Sequence, residues 1–117
     1  MIDDNVTERT HQDRMEDVQK YIHQHLNENL TREVLADVAG YSVPHFHRVF
    51  TAHTGESVTR FVRRKRLIRA GQKLRIGAVD ITQVALAAGY ESHAAFSKAF
   101  KRETGLSPRA FRKSARA

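Results

Sequence analysis

Arg48 carries the clearest chemistry in the sequence, because a guanidinium can donate two hydrogen bonds to guanine O6 and N7. At about 100° per residue, Arg48 shares the outward face of one short helix with Pro44 and Thr51, and His47 lies on the flank. That face holds no carboxylate. The guanidinium contact discriminates between base pairs by about 1–3 kcal/mol, and His47 can make single hydrogen bonds to base edges. This face is therefore a candidate for contact with nucleic-acid bases.

A second segment, fifty residues later, carries a related but different set of side chains. Lys98 can contact guanine or a phosphate, Ser97 can make a single hydrogen bond, and Ala94 or Ala95 can meet a thymine methyl group. A solvated helix face without a target usually mixes charge signs, but this outward face is basic. At about 100° per residue, Ala94, Lys98 and Lys101 lie on this outward face, Ser97 on its flank and His93 at its start, and Lys101 is a candidate for phosphate contact.

Two other kinds of site are disfavoured by the spacing of the polar residues. His45 and His47 lie about 200° apart on a helical wheel, and no Cys, Asp or Glu completes a metal-binding set with them. No nucleophile has a base at a suitable distance, and the chain lacks a phosphate-binding glycine loop and paired carboxylates in an apolar setting. We therefore expect neither an enzyme, nor a metal site, nor a cofactor.

The charge of the chain favours a polyanionic partner. The 117 residues include 20 Lys and Arg against 13 Asp and Glu, which gives a net charge of +7, and no carboxylate lies between Glu56 and Asp80. Cysteine is absent, no apolar run approaches the roughly 18 residues that span a bilayer, and the amino terminus is acidic and polar. A cytoplasmic protein without membrane contact is the expectation.

The apolar pattern predicts an all-α fold of about seven helices. Residues 1–13 lack periodicity and are predicted to form a flexible arm, and a first helix starts at Arg14. Thr31 and Ser42 are predicted N-caps. Phenylalanines and a glycine then recur at the same distances in two series: Phe46, Phe50, Gly55 and Phe61, and Phe96, Phe100, Gly105 and Phe111. The turn before the second series is one residue longer.

Each series follows a similar small-residue phrase, LADVAGY at 35–41 and VALAAGY at 84–90. Ala36 and Ala85 lie four residues before Gly40 and Gly89, so the alanines permit a close crossing of two helices and the glycines permit a sharp turn. This arrangement is typical of a helix-turn-helix, whose second helix enters a major groove. The sequence therefore predicts two such units.

The segment between the two units is predicted to be one long linker helix with two opposed apolar faces. The early face serves the first core and the late face serves the second. The early face is assigned Val58, Phe61, Val62 and Ile68, and the late face Leu67, Ala70, Gly71 and Leu74. Gly71 is a candidate for a bend.

Phosphate contacts are predicted from the linker helix and from two helix amino termini. Arg60 and Arg64 supply positive charge on the linker. Free backbone N–H groups are expected at Ser57 with Val58, and at Ser107 followed by Ala110. Phosphate neutralisation should supply most of the affinity and little of the specificity.

The sequence resembles the DNA-binding domain of the AraC/XylS family of bacterial transcription regulators, and its length is most similar to the short MarA-type members. The resemblance runs from about Val18 to Arg112. The second half carries the more specific motif: Arg66-Leu67, Ala70, Leu74, Ile81, Val84-Ala85, Gly89-Tyr90, Phe96, Phe100, Gly105, Ser107-Pro108 and Phe111. The family implies a monomer that inserts two recognition helices into successive major grooves of double-stranded DNA.

Carried over by position, the resemblance implies base reading at Pro44, His47 and Arg48 in the first unit. In the second unit it implies base reading at His93, Ala94, Ala95, Ser97 and Lys98. MarA-type members have tryptophan in place of Pro44 and a glutamine pair in place of His93-Ala94, so a different target sequence is expected. The resulting organisation is an arm at 1–13, a first unit at 14–56, a linker at 57–76 and a second unit at 77–117.

Two alternatives to a stand-alone DNA-binding regulator stay open. The chain could be the DNA-binding fragment of a longer effector-responsive regulator. It could also be an adaptor whose acidic first-helix surface, with Glu16, Asp17 and Glu28, faces a protein. The family resemblance suggests RNA polymerase as that protein in activators.

Overall fold

A computed structural model describes residues 10–77 and 79–116, and in this part of the chain it contains seven α-helices and no strand. The all-α prediction is therefore confirmed. The helices are α1 (His11–Gln24), α2 (Arg32–Ala39), α3 (Val43–Thr54), α4 (Val58–Ile76), α5 (Ile81–Ala87), α6 (His93–Thr104) and α7 (Pro108–Arg116). None of the described helices has both the length and the apolar character needed to cross a membrane.

The chain divides into two compact units between Val62 and Arg63, within α4. Each unit contains its own hydrophobic core. The predicted linker segment, 57–76, is thus divided between the units, and the predicted boundaries at 14–56 and 77–117 stay predictions.

The first unit packs α1, α2, α3 and the start of α4 around two phenylalanines. Side chains at three-and-four spacing on α1 meet small residues of α2, as an amphipathic pattern requires. The buried residues are Met15, Val18, Ile22, Leu26, Leu35, Ala36, Ala39, Phe46, Phe50, Val58, Phe61 and Val62.

The first helix begins earlier than the sequence pattern predicts. Thr10 is the N-cap, its Oγ1 accepts from the N–H of Asp13 at 3.0 Å, and the Asp13 carboxylate accepts from the Thr10 N–H at 3.4 Å. This capping box uses polar residues, which an apolar periodicity does not detect. The predicted arm is therefore wrong for residues 10–13, and residues 1–9 lie outside the described part of the chain.

The second unit repeats the arrangement with the end of α4, α5, α6 and α7. Its buried residues are Leu67, Ala70, Leu74, Val84, Ala85, Phe96 and Phe100, with Phe111 packed against them. The two faces predicted for α4 are confirmed except at Ile68, which is 43% exposed. Ile68 points in the direction of the early face, but it lies about 9 Å along the helix beyond Val62, out of reach of the first core.

Gly71 serves close packing in this unit. A Cβ atom built there would lie 3.3 Å from the ring of Phe111 and 3.6 Å from that of Phe100. The absence of a side chain therefore lets α7 approach α4, which is a different role from the predicted bend.

Candidate nucleic-acid interface

The first small-residue phrase folds into a hydrogen-bonded turn that ends α2. Gly40 has a φ of 78°, in the left-handed region that glycine adopts most readily. The N–H of Tyr41 donates to the carbonyl of Ala36 at 3.0 Å, and the N–H of Gly40 donates to the carbonyl of Asp37 at 3.1 Å. These two bonds form a Schellman motif, which stops the helix and redirects the chain toward α3.

The second phrase forms the same turn. Gly89 has a φ of 92°. The N–H of Tyr90 donates to the carbonyl of Ala85 at 3.1 Å, and that of Gly89 to the carbonyl of Leu86 at 3.0 Å. Ala85 is fully buried and Ala36 nearly so, as expected for residues at a close helix crossing.

The phenylalanines hold each second helix in the same way. In the first unit the rings of Phe46 and Phe50 lie 5.5 Å apart, and Phe50 meets Phe61 edge to face at 5.2 Å and 89°. The corresponding values in the second unit are 5.4 Å for Phe96 and Phe100, and 5.1 Å and 85° for Phe100 and Phe111. The phenylalanines that are equally spaced in the two halves of the sequence thus also have nearly the same ring distances and angles in the two units.

The one-residue difference between the repeats lies in the turn. Ser42 and Ser92 are the N-caps of α3 and α6, and each lies four residues before the first phenylalanine. The extra residue therefore falls between Gly89 and Ser92, where it does not alter the helix that follows.

An arginine lies beneath each turn, a feature that the sequence reading missed. The Nη1 of Arg14 donates to the carbonyl of Ala39 at 2.9 Å and approaches that of Gly40 at 3.4 Å, while its guanidinium lies 5.1 Å from the ring centre of Tyr41. In the second unit the Nη1 of Arg66 lies 3.9 Å from the position of a Cβ at Gly89.

A signal for this pair exists in the sequence. Arg14, Met15, Val18 and Ile22 have the same spacing as Arg66, Leu67, Ala70 and Leu74, fifty-two residues later. The repeat therefore includes α1 and the second part of α4, so each unit consists of a supporting helix followed by a helix-turn-helix.

The residues predicted to read bases from α3 are exposed, with one exception. Pro44, His47 and Arg48 are all exposed to solvent. Thr51 is partly buried, and its Oγ1 has no hydrogen-bond partner in the described part of the chain. A hydroxyl buried in this way does not meet a base edge, so we correct the assignment of Thr51. The helical wheel places Thr51 on the outward face with Pro44 and Arg48, but it does not show which neighbouring atoms cover that position.

The residues predicted on α6 are brought together on one accessible surface. His93, Ala94, Ala95 and Lys98 are exposed, as is Lys101, and Ser97 is partly buried. The Oγ of Ser92 accepts from the N–H of Ala95 at 3.1 Å, which fixes the start of the helix. The accessible face thus belongs to a helix, α6, that is capped by Ser92 and anchored in the core by Phe96 and Phe100.

The predicted phosphate-binding residues differ in how accessible their side chains and N–H groups are to a phosphate. Arg60 pairs with Glu56, with 3.6 Å between Nε and Oε1, yet 62% of its side chain stays exposed. Ser57 caps α4 by accepting from the N–H of Arg60 at 3.2 Å. Val58 has a buried side chain and can contribute only its backbone N–H. Arg64 is partly buried.

The amino terminus of α7 offers fewer donors than predicted. The N–H of Ala110 donates to Ser107 Oγ at 3.1 Å, so it is not free for a phosphate. Pro108 occupies the first helical position and has no N–H. We therefore correct the assignment of Ala110, and the remaining donors of this terminus are the N–H groups of Ser107 and Arg109.

The surroundings of Tyr90 combine burial and positive charge. Burial raises the pKa of its hydroxyl above the usual value of 10.0, Arg63, Arg66 and Arg102 act in the opposite direction, and Glu103 adds to the rise. The hydroxyl has no hydrogen-bond partner among the described residues. Within the described part of the chain, no three His, Cys, Asp or Glu residues are grouped as a metal site requires.

Comparisons with known proteins agree with this geometry. A family model described as a helix-turn-helix domain matches residues 35–114. Regulatory protein SoxS of Escherichia coli is 30% identical over 103 residues, which cover 88% of this chain and 96% of SoxS. A transcriptional regulator from Chromobacterium violaceum with an AraC-type DNA-binding domain superposes with a TM-score of 0.84 at 25% identity, covering 89% of this chain and 93% of that one. The chain belongs to the AraC/XylS family.

As a member of this family, the chain is a helix-turn-helix transcription regulator that binds DNA and is not an enzyme. The DNA-binding domain of AdpA, solved in complex with a target DNA, is 29% identical and superposes with a TM-score of 0.77, covering 87% of this chain and 92% of that one. Some relatives are longer, and the chain spans 31% of the length of one that is 35% identical over 92 residues.

Proposed function

We propose that the protein inserts α3 and α6 into two successive major grooves of one asymmetric DNA site, as a monomer. One observation carries this proposal: the two helices are held by the same phenylalanine geometry but expose different side chains. A matched pair of identical reading helices would favour a repeated half-site, whereas different faces favour two different half-sites. The 19 residues of α4 extend about 28 Å, comparable with the roughly 34 Å of one DNA turn.

Base discrimination falls to a few side chains in this proposal. Arg48 donates two hydrogen bonds to a guanine, and His47 makes a single bond beside it. In the second groove Lys98 contacts guanine or a phosphate, Ser97 makes a single bond, and Ala94 meets a thymine methyl group. The remaining members of the base-reading set are Pro44, His93 and Ala95.

Contacts with the DNA phosphates supply most of the affinity in this proposal. The amino terminus of α4, at Ser57 and Val58, presents N–H groups to one phosphate, and Ser107 does the same for α7. Arg60, Arg64 and Lys101 add positive charge. Because Arg60 already pairs with Glu56, a phosphate must compete with that carboxylate. Arg60 therefore contributes less to DNA affinity than an unpaired arginine would.

Selection from random duplexes, followed by titration of the selected site, tests the proposal. An asymmetric site of about two helical turns is expected. Arg48→Ala should weaken binding to that site by about 5- to 150-fold and relax the preference at one base pair. Arg32→Ala is the matched control, because Arg32 is an exposed arginine of α2 outside the proposed interface.

Two outcomes would contradict this scheme. A palindromic selected site would exclude the monomer with two different reading helices. Equal weakening of all sequences by Arg48→Ala would show that Arg48 contacts phosphate and not a base.

RNA polymerase is a second proposed partner, through the acidic residues of α1. Glu16 is exposed and Asp17 is partly buried on that helix, and Glu28 follows it in an exposed position. Transcription in vitro with purified polymerase and the selected site tests this contact. Glu16→Lys should reduce activation and leave DNA affinity unchanged, and equal activity of the two proteins would exclude a role for Glu16. The length of some relatives supports a further possibility, in which the chain functions within a longer regulator.

A further inference from the structure

A groove beside α3 is lined by three imidazoles and one guanidinium. It has a volume of about 440 Å³ and is open to solvent, and among the described residues that line it there is no carboxylate. We refer to it as the imidazole groove. Its lining consists of His11, His45, Arg48 and His53, with Val49 and Ala52 between them.

Two of the imidazoles are held in place by aromatic contacts. The ring of His11, in the first turn of α1, meets that of His45 edge to face at 5.8 Å and 89°. The Tyr41 hydroxyl shares a hydrogen bond with Nδ1 of His11, and its ring lies 4.6 Å from that of His45. The groove is therefore a joint product of α1, the first turn and α3.

The charged and titratable groups around the groove are mainly basic. Besides its lining, α1 contributes Arg14, whose guanidinium lies over Tyr41, and Asp13, whose carboxylate accepts from the N–H of Thr10. Imidazole is the side chain that changes charge near neutral pH, and the protonated form donates from both nitrogens. A phosphate placed in the groove would therefore favour protonation of the imidazoles.

The second unit lacks this feature although it shares the fold. The residues equivalent to His45, Val49, Ala52 and His53, fifty positions later, are Ala95, Ala99, Arg102 and Glu103. They include no imidazole and one carboxylate. Packing of the helix-turn-helix thus does not require the histidines.

We propose that the imidazole groove binds a backbone phosphate of the DNA beside the first reading helix, and that proton uptake by its histidines accompanies this contact. The proposal rests on the proposed DNA-binding function and adds a pH dependence whose main source is the groove of the first unit. His11, His45 and His53 become DNA contacts that the base-reading scheme does not contain. DNA affinity increases as the pH falls, because the protonated groove attracts the phosphate more strongly.

Titration of the selected duplex at pH 6.0, 6.75 and 7.5, at constant ionic strength, tests the proposal. The dissociation constant should fall by about tenfold from pH 7.5 to pH 6.0 in the wild-type protein. The triple variant His11→Gln, His45→Gln, His53→Gln should change by about threefold or less over the same range, because His47 and His93 are then the histidines that stay in the proposed interface. His53→Gln alone, at an exposed position that does not threaten folding, should give an intermediate change.

His23→Gln is the matched control. It makes the same chemical change on the same helix, about 18 Å from His11 along α1, and should keep the wild-type pH dependence. An unchanged slope in the triple variant would overturn the proposal while leaving the DNA-binding function intact. Failure of the wild-type protein to prefer any sequence at pH 7.5 would instead refute the proposed function, and the groove proposal with it.

Uncharged phosphate analogues in the duplex can identify the phosphate that the groove contacts. Methylphosphonates substituted one at a time should reveal one position that removes most of the pH dependence in the wild-type protein and has little effect in the triple variant. If every position had the same effect, the proton uptake would reflect the general field of the DNA and the groove would have no phosphate of its own.

Discussion

Tyr41 and Tyr90 occupy the same place in the two turns but differ in their hydroxyl contacts. The Tyr41 hydroxyl bonds with His11, whereas that of Tyr90 is buried and has no partner in the described part of the chain. Removal of a bonded hydroxyl costs stability, and removal of an unsatisfied one relieves a desolvation penalty. Replacement of each tyrosine by phenylalanine should therefore change the free energy of unfolding in opposite directions.

The prediction is that Tyr41→Phe lowers the free energy of unfolding by about 0.5 kcal/mol and Tyr90→Phe raises it by about 1 kcal/mol, measured by urea denaturation at pH 7. Burial raises the folded-state pKa of Tyr90 above 10.0, so the wild-type protein loses stability as the pH rises past that value. Tyr90→Phe should lack this loss. Destabilisation by both substitutions would mean that Tyr90 has a hydrogen bond in solution.

Arg14 supports the first turn from below, and its removal should weaken DNA binding without altering specificity. Arg14→Ala leaves the carbonyls of Ala39 and Gly40 without this donor, which should cost about 1–2 kcal/mol of stability. Binding to the selected site should weaken several-fold because α3 is held less firmly. Repetition of the duplex selection measures the preference, and Lys20→Ala on the same helix is the control. A changed base preference would show that Arg14 itself contacts DNA.

At the scale of the elements, helix termini were predictable where a polar cap or a glycine marks them. Thr31 and Ser42 cap α2 and α3 as predicted, and Gly55 ends α3 in the left-handed region. The start of α1 was missed because its capping box precedes the apolar pattern. Local spacing determines these features, so the sequence alone carries most of the helix assignment.

Side-chain accessibility was less predictable than helix position. A helical wheel gives the direction of Thr51 and Ile68, but it does not show which neighbouring helix covers one and leaves the other exposed. Ala110 is a local case, because its N–H donates to the Oγ of Ser107, the cap three residues earlier, and a cap of this kind occupies an N–H group that could otherwise bind a phosphate. Contacts between distant segments decide the accessibility of Thr51 and Ile68, and such contacts also form the imidazole groove between α1 and α3.

Gly71 makes the packing of α4 against α7 sensitive to side-chain size. Gly71→Val should lower the stability of the second unit by about 1–3 kcal/mol, because the new side chain enters space held by Phe111 and Phe100. Gly77→Val is the control, since a Cβ there meets nothing within 4 Å. Thermal unfolding of both variants measures the difference. Equal effects would mean that α7 moves away without cost.

At the scale of the whole molecule, two separate cores in one short chain imply two units of limited stability. Each unit has about 60 residues, a size at which a core is marginal, and loss of a buried phenylalanine costs about 3–5 kcal/mol. That cost is comparable with the whole stability expected for one unit. A core substitution in one unit should therefore unfold that unit.

Hydrogen exchange can show whether the two cores unfold independently. Phe50→Ala should abolish protection in α1, α2 and α3 while the amides of α5 and α6 stay protected, and Phe100→Ala should do the reverse. The start of α4 should follow the first unit and its end the second, because its buried residues are divided between the two cores. Loss of all protection in both variants would contradict this independence. It would mean that α4 transmits unfolding between the units, so that one damaged core removes both reading helices from the DNA.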